Sequence, residues 1–386
     1  MNDDNEKNKS KEILKELELY KKKDFSFSSG QILGSMCTQP HTIAKEAYMK
    51  FIETNLGDPE LFPGTRQIES KYLSFIFKLL NAPKTAAGLI GSGGTECNIT
   101  AIWLGKSLSK KRELIIPKSA HFSFDKIASL MDVKLVNIPI DKNHCMKISE
   151  LKKSISKDTA AVVGIAGTTE LGKIDPIPEI SELCYDEKIF LHIDAAFGGF
   201  VIPFLKKLGH DVPDFDFKLK GVMSVSLDAH KMGYSTIPLG VLTIRKEKWL
   251  DNISVKTPYI SIKKQSGLLA TRSGGPVAAA YAVSKLLGMK GYQNLIKRCM
   301  DVTRYTIEKI ENIHLNVVIK PTMNVIGIKL KNPSRVAKKL SRYGWKVNNM
   351  ERLSAIRIVT MPHVTKEIID EFIPDLEKVC KEVGEL

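Results

Sequence analysis

Long apolar runs and paired cysteines are both missing from this sequence of 386 residues. No apolar stretch approaches the roughly 18 residues that a membrane-spanning helix requires, which excludes that class of protein. The first residues are polar and lack the apolar core of a signal peptide. Six cysteines are scattered without a CxxC pair, which argues against a disulfide framework or a zinc site. We therefore expect a cytoplasmic protein with no bound metal and no membrane partner.

Acidic residues are scarce relative to basic ones, because 58 lysines and arginines accompany 43 aspartates and glutamates, for a formal net charge of +15. Such an excess could attract nucleic acid or a ligand that carries a phosphate. The basic residues are spread along the chain, however, and no motif combines them with aromatic residues. The charge is better explained as a general richness in lysine, and we expect no nucleic-acid partner.

Short apolar runs occupy the middle of the chain and alternate with segments of helical spacing. The runs that are typical of buried strands are 86–90, 114–116, 135–138, 160–165, 189–193, 222–226 and 239–244. Continuous apolar strands separated by helices indicate a mostly parallel central sheet covered on both faces. The predicted fold is therefore of the α/β class.

Three regions are expected along the chain. Residues 1–41 form an N-terminal arm whose charged, partly apolar helix either packs on a partner subunit or lies in solvent. Residues 42–288 contain the alternating strands and helices of a large domain. Residues 289–386 contain a long helix followed by strand, helix, strand and helix, which predicts a small C-terminal α/β domain.

A histidine and a lysine, His230 and Lys231, come directly after one predicted strand. A lysine at a strand end can form a Schiff base with pyridoxal 5′-phosphate (PLP) if burial disfavours its charged form. His230 can donate a hydrogen bond to a phosphate. Taken alone, such a pair is more typical of a surface loop.

An aspartate, Asp194, ends another apolar strand and is followed by Ala195 and Ala196. Ligands of α/β proteins bind where strands end. An acid there can keep the pyridine nitrogen of PLP protonated, which makes the ring a stronger electron sink. The small alanines would let a flat ring lie close to the backbone. The alternative is an aspartate that caps the next loop.

Three further strands are followed by segments that suit the same cofactor. The glycine turn 91–98 opens a helix, where backbone N–H groups can approach a phosphate, although it matches neither the P-loop nor the dinucleotide fingerprint. His121 could stack on a ring or could be structural. The pair Thr168 and Thr169 offers a hydroxyl for the phenolic oxygen of PLP. Five strand-end signals therefore converge on a PLP enzyme.

In this order, from about residue 34 to the C-terminus, the motifs resemble the group II PLP-dependent amino acid decarboxylases. The Asp-Ala-Ala segment at Asp194 and the His-Lys pair at Lys231 are together close to diagnostic of that family. The resemblance implies the type I, aminotransferase-like fold of PLP-dependent transferases. It also implies a homodimer with active sites at the interface.

The resemblance assigns cofactor roles to particular residues. Lys231 would carry PLP as a Schiff base, Asp194 would pair with the ring nitrogen, and His121 would stack on the ring; these three are the expected catalytic residues. The other contacts would come from Gly94, Thr95 and His230 at the phosphate, Thr169 near the phenolic oxygen, Ala196 under the ring and Asp175 near the ring nitrogen.

The substrate side is implied in the same way. Arg357 would bind the α-carboxylate of the amino acid, the alternative being a surface arginine on an edge strand. His41 and Gln39 would face the substrate side of the ring. The segments 35–41, 55–65 and 271–275 resemble an archaeal branch, which implies decarboxylation of L-tyrosine to tyramine for methanofuran and, in second place, of L-aspartate to β-alanine for coenzyme A.

One segment departs from the family. Animal and plant relatives carry a mobile loop with a tyrosine to which reprotonation of the carbanion is attributed, but the matching residues 266–275 contain no tyrosine. Tyr259, His121 and Lys231 are the candidate proton donors.

Three other functions stay open. A PLP-dependent carbon–carbon lyase of the sphingosine-phosphate type shares most motifs but acts on a substrate without an α-carboxylate. A PLP aminotransferase or cysteine-forming enzyme would leave the α-carboxylate on its product. A non-catalytic protein with a basic surface would bind nucleic acid in a salt-sensitive way and carry no cofactor.

Overall fold

The computed structural model describes residues 3–258 and 262–386. Its helices are α1 (Asp3–Lys21), α2 (Thr42–Lys50), α3 (Pro63–Leu79), α4 (Gly94–Ser109), α5 (Ser123–Met131), α6 (Ile148–Ser154), α7 (Ile177–Asp186), α8 (Ile202–Lys207), α9 (Gly275–Asn312), α10 (Pro333–Leu340) and α11 (Lys366–Val383). Its strands are β1 (Ala87–Gly91), β2 (Glu113–Pro117), β3 (Lys134–Ile138), β4 (Thr159–Ile165), β5 (Phe190–Asp194), β6 (Val222–Asp228), β7 (Gly240–Ile244), β8 (Val255–Lys256), β9 (Lys264–Gln265), β10 (Asn316–Val317), β11 (Val325–Lys329), β12 (Asn348–Met350) and β13 (Ala355–Val359).

Seven strands form the central sheet in the order β1-β7-β6-β5-β4-β2-β3. Strand β7 is antiparallel to both of its neighbours, and the other pairs are parallel. Each apolar run expected to be a strand is one, with ends that differ by two residues at most. The expectation of a mostly parallel α/β sheet is confirmed.

Both faces of this sheet are covered by helices. Successive residues of a strand point to opposite faces, so neighbouring residues pack against different helices. On β4, Val162 packs in a cluster with Ile177 of α7, whereas Val163 packs in a cluster with Ile102 of α4. Every residue of β4 and β5 is buried. This double burial explains why these strands are mostly apolar in sequence.

A second sheet of four antiparallel strands lies near the C-terminus in the order β10-β11-β13-β12. Helix α11 packs on it, and its Phe372 meets Trp345 edge-on with ring centroids 5.2 Å apart. Helix α9 leads from the large sheet to this one, and its backbone leaves helical geometry at Gly288, where φ is 53°.

The N-terminal helix α1 leaves apolar side chains in solvent in the single chain. Leu14 and Leu17 are 61% and 55% exposed. Both alternatives for this arm, a solvated helix or one that packs on a partner subunit, therefore stay open. Among the described residues, no helix is both long and apolar enough to cross a membrane.

Candidate active site

A cavity of about 290 Å³ lies where several strands of the large sheet end. Strands β2, β4, β5 and β6 are parallel, so the loops that follow them leave the sheet at the same edge. The structure places in this cavity eight of the nine residues expected to contact a cofactor: Gly94, Thr95, His121, Thr169, Asp194, Ala196, His230 and Lys231.

The amine of Lys231 is paired with a carboxylate that was not expected, that of Asp228 at the end of β6. Its Nζ lies 2.9 Å from Oδ2 of Asp228, whose side chain is only 3% exposed. Burial lowers the pKa of Lys231, but the carboxylates of Asp228 and Asp194 outweigh burial and hold that pKa above its usual value. The free lysine is therefore held as an ammonium ion.

The N-terminus of α4 forms a cradle beside this pair. The first hydrogen bond of this helix runs from the backbone N–H of Cys97 to the carbonyl of Gly93. The N–H groups of residues 94–96 thus have no intrahelical acceptor and suit an anion. A Cβ at Gly94 would lie 3.2 Å from both Ala196 Cβ and Asp228 Oδ2, and Gly93 has φ of 145°. Glycine is required at both positions.

Asp194, at the end of β5, is buried and held by one N–H donor on each oxygen. Oδ1 accepts from the backbone N–H of Ala196 at 3.0 Å, and Oδ2 accepts from Nδ2 of Asn98 at 3.0 Å. Hydrogen bonds of this kind favour the charged carboxylate. This residue can therefore hold a proton on a neighbouring heterocyclic nitrogen.

The two remaining polar contacts come from loops after β2 and β4. His121 accepts the N–H of Ser123 at Nδ1, which leaves Nε2 to carry the proton of a neutral ring. Burial lowers the pKa of His121, and the charge of Lys231 acts in the same direction, against Asp194 and Asp228. The hydroxyl of Thr168 accepts the backbone N–H of Lys173. Thr169, and not Thr168, lines the cavity.

These residues fit PLP. The cradle of Gly93 and Gly94 suits its phosphate, the amine of Lys231 suits its aldehyde, and the carboxylate of Asp194 suits its protonated ring nitrogen. The small side chain of Ala196 also lines this cavity.

Asp175 does not line the cavity, and its expected place near the ring nitrogen stays a prediction. It is completely buried and accepts the backbone N–H groups of Met146 and Ile165 at 2.7 and 2.8 Å. Burial raises its pKa to about 6, against these two hydrogen bonds. These two bonds connect the loop that contains Asp175 to Met146 and to the end of β4. The backbone N–H of Asp175 also donates to the carbonyl of Ile165.

Arg357 and His41, the expected substrate contacts, lie outside the lining of this cavity. Arg357 is 7% exposed on β13, which pairs on both sides, so the alternative of a surface residue on an edge strand is wrong. Its guanidinium donates to the carbonyls of Thr169 and Gly34, and its Nε has no hydrogen-bond partner among the described residues. His41 caps α2 by accepting the N–H of Ile43.

The polar cavity residues to which the sequence assigns no role of their own include Asp228, Asn98 and Ser119. Asp228 ends β6 as Asp194 ends β5, a repeated signal that the sequence offers. Asn98 lies one helical turn after Gly94, on the same face of α4. Nothing in the sequence distinguishes Ser119. The proton-donor candidate Tyr259 lies outside the described residues.

We predict that Asp228→Asn lowers the pKa of Lys231, because burial then acts without its nearest opposing charge. The pH midpoint for labelling of Lys231 by acetic anhydride in cofactor-free protein should fall by about one to two units. Peptide mass spectrometry measures this midpoint.

The control is Asp251→Asn, which removes the carboxylate 3.1 Å from the exposed Lys264. It should leave the midpoint of Lys231 unchanged. An unchanged or raised midpoint in Asp228→Asn would show that this carboxylate does not hold the ammonium.

The chain is similar to known proteins over nearly its whole length. Residues 33–331 match the family model described as the pyridoxal-dependent decarboxylase conserved domain. A protein of Methanothermobacter thermautotrophicus, named probable L-tyrosine/L-aspartate decarboxylase, is 44% identical over 92% of this chain and 98% of its own. The L-aspartate/L-glutamate decarboxylase of Pyrococcus horikoshii is 47% identical over 93% of this chain and 94% of its own.

Among solved structures, a sphingosine-1-phosphate lyase of Burkholderia pseudomallei superimposes with a TM-score of 0.88. It is 26% identical and covers 97% of this chain and 90% of its own. The expected aminotransferase-like fold is thus confirmed. Because the family model spans most of the sequence, the chain belongs to the pyridoxal-dependent decarboxylase family and is a carboxy-lyase that uses PLP.

Proposed function

We propose that the enzyme decarboxylates L-aspartate to β-alanine. The observation that supports this choice most directly is that aspartate is the one amino acid named for both of the similar decarboxylases described above. The cavity adds support for the chemistry, since it brings the amine of Lys231 and the carboxylate of Asp194 together beside an anion cradle. β-Alanine is a precursor of coenzyme A, which would be the use of the product.

Each residue would perform one task in this reaction. Bound PLP supplies an aldehyde that links to amines and a ring that takes up the electrons released when carbon dioxide leaves. Lys231 would supply the amine that links to the aldehyde, and Asp228, whose Oδ2 lies 2.9 Å from that amine, would orient it. Asp194 would pair with the ring nitrogen. The imidazole of His121 would hold the plane of the ring, and the N–H groups of residues 94–96 and His230 would bind the phosphate.

Arg357 would orient the substrate. It reaches the carbonyl of Thr169, a lining residue, and burial lowers its pKa to about 10, partly offset by Glu170. A guanidinium with an unpartnered Nε is suited to a carboxylate. His41 would contact the substrate if α2 moved towards the cavity. Turning the Cα–carboxylate bond upright on the ring is the contribution we assign to this pair.

L-Tyrosine is the second candidate substrate, because it is named for one of the two similar decarboxylases. Its product, tyramine, would serve methanofuran biosynthesis. A carbon–carbon lyase of the sphingosine-phosphate type is the other alternative. The solved lyase shares the fold at 26% identity, whereas the two decarboxylases share 44% and 47% of the sequence. The larger identity favours loss of carbon dioxide.

We also propose a cytoplasmic homodimer. The apolar side chains of α1 that the single chain exposes, Leu14 and Leu17, would be covered by a second copy. The scattered cysteines are typical of a reducing compartment.

A panel of L-amino acids with purified protein and PLP tests the substrate. We expect carbon dioxide and β-alanine from aspartate at a higher kcat/KM than tyramine from tyrosine. Lys231→Ala should lose the lysine-linked absorption of PLP and nearly all turnover, because no other lysine among the described residues lines the cavity. Release of an aldehyde without carbon dioxide would instead identify a lyase, and normal turnover by Lys231→Ala would remove the assignment of this lysine.

Arg357→Lys tests substrate orientation with the charge retained. Lysine lacks the planar fork that binds a carboxylate through two bonds. We expect KM for the amino acid to rise about tenfold or more while the Kd of PLP changes less than twofold. Arg335→Lys, on the exposed side of α10, is the matched control. Equal weakening of cofactor and substrate would show that Arg357 is structural.

The mass of the protein in solution, measured by light scattering, should equal two chains. Replacing both Leu14 and Leu17 by Ser should shift the equilibrium towards single chains, because burial of these side chains would stabilise the dimer. A wild-type mass of one chain at all concentrations would contradict the homodimer.

A further inference from the structure

Helix α4 and two strands of the sheet share a buried row of polar side chains beneath the cavity. His192 and Asp194 lie two residues apart on β5, and Ser224 and Ser226 lie opposite them on β6. Residues two apart on a strand share a face. Asn98 of α4 hydrogen-bonds to members of this row and is 2% exposed.

Two hydrogen bonds fix the orientation of the Asn98 amide. Its Oδ1 accepts from Ser226 Oγ at 2.8 Å and lies 3.0 Å from His192 Nε2. Burial lowers the pKa of His192 to about 4, so this ring is neutral. Its Nδ1 lies 2.9 Å from Ser224 Oγ, whose hydroxyl can donate to it. Nε2 then carries the proton and donates to Asn98.

This orientation of the Asn98 amide directs its nitrogen towards Asp194. With Oδ1 of Asn98 occupied by two donors, the amide nitrogen must face the other way, and it donates to Asp194 Oδ2 at 3.0 Å. The second oxygen accepts from Ala196. Both oxygens of Asp194 thus accept from N–H groups, and hydrogen bonds of this kind favour the charged carboxylate.

We propose that Asn98 is a positioning residue which, through His192, Ser226 and Ser224, holds Asp194 as an oriented carboxylate and so keeps the proton on the ring nitrogen of PLP. Asn98 touches Asp194 and acts on the cofactor through it. The inference rests on the cofactor of the family and is independent of which amino acid is the substrate.

The test replaces the amide by an apolar group of similar size, Asn98→Leu, in the PLP-loaded enzyme. The readout is the nitrogen-15 chemical shift of PLP labelled at the ring nitrogen, followed as a function of pH. Loss of one hydrogen bond to a charged group moves a proton equilibrium by about tenfold to a hundredfold. The pH at which the ring nitrogen loses its proton should therefore fall by about one to two units.

The matched control is Thr100→Val, which also removes a buried polar group from α4. The Thr100 hydroxyl bonds only to the carbonyl of Glu96 within the helix, so the pH midpoint of the ring nitrogen should stay at its wild-type value. Turnover should fall with Asn98→Leu and stay near wild type with Thr100→Val, because only the first weakens the electron sink.

Asn98→Ala provides a second, smaller variant in case leucine impairs folding. It removes the N–H donor to Asp194 Oδ2 without adding bulk. The midpoint should therefore fall in this variant too. A wild-type midpoint in either variant, with PLP bound at full occupancy, would overturn the proposal and leave Asn98 a structural residue.

Discussion

The common direction of five strands is the constraint on which the active site depends. Strands β1, β2, β4, β5 and β6 all run the same way, although β7 lies between β1 and β6. Because β7 is antiparallel to both β1 and β6, those two strands run in the same direction. The loops that leave these strands therefore meet at one edge, which is where α/β proteins bind ligands. Residues far apart in sequence form one cavity for this geometric reason.

Compensation of buried charge is the second constraint. The cavity is lined by one amine, that of Lys231, and by three carboxylates, those of Glu96, Asp194 and Asp228, and an isolated buried charge is costly. Lys231 is paired with Asp228, and Asp194 receives N–H groups from Asn98 and Ala196. The open N-terminus of α4 is suited to the phosphate of PLP. We expect the polar residues in otherwise apolar strands to form a matched set with the cofactor.

Much of the fold could be predicted from the sequence because double burial leaves a strong signal. A strand covered on both faces is apolar at most positions, so runs such as 160–165 and 239–244 predicted β4 and β7 to within a residue. The short strands β10 and β12 were missed, since two or three partly exposed residues carry no periodicity. Their existence depends on pairing with β11 and β13. The antiparallel direction of β7 is likewise a matter of pairing.

The sequence by itself determined which strand end each chemically active residue follows, and hence that Lys231, Asp194 and the turn at Gly94 meet. It did so because residue type and spacing along a chain are local properties. Only the tertiary structure decided the partners: Asp228 for Lys231, Asn98 for Asp194, and two backbone N–H groups for Asp175, which withdraw it from the cavity. It also buried Arg357 against the carbonyls of Gly34 and Thr169. A side chain's partner depends on distances of a few ångströms between segments that packing brings together, and sequence spacing does not encode those distances.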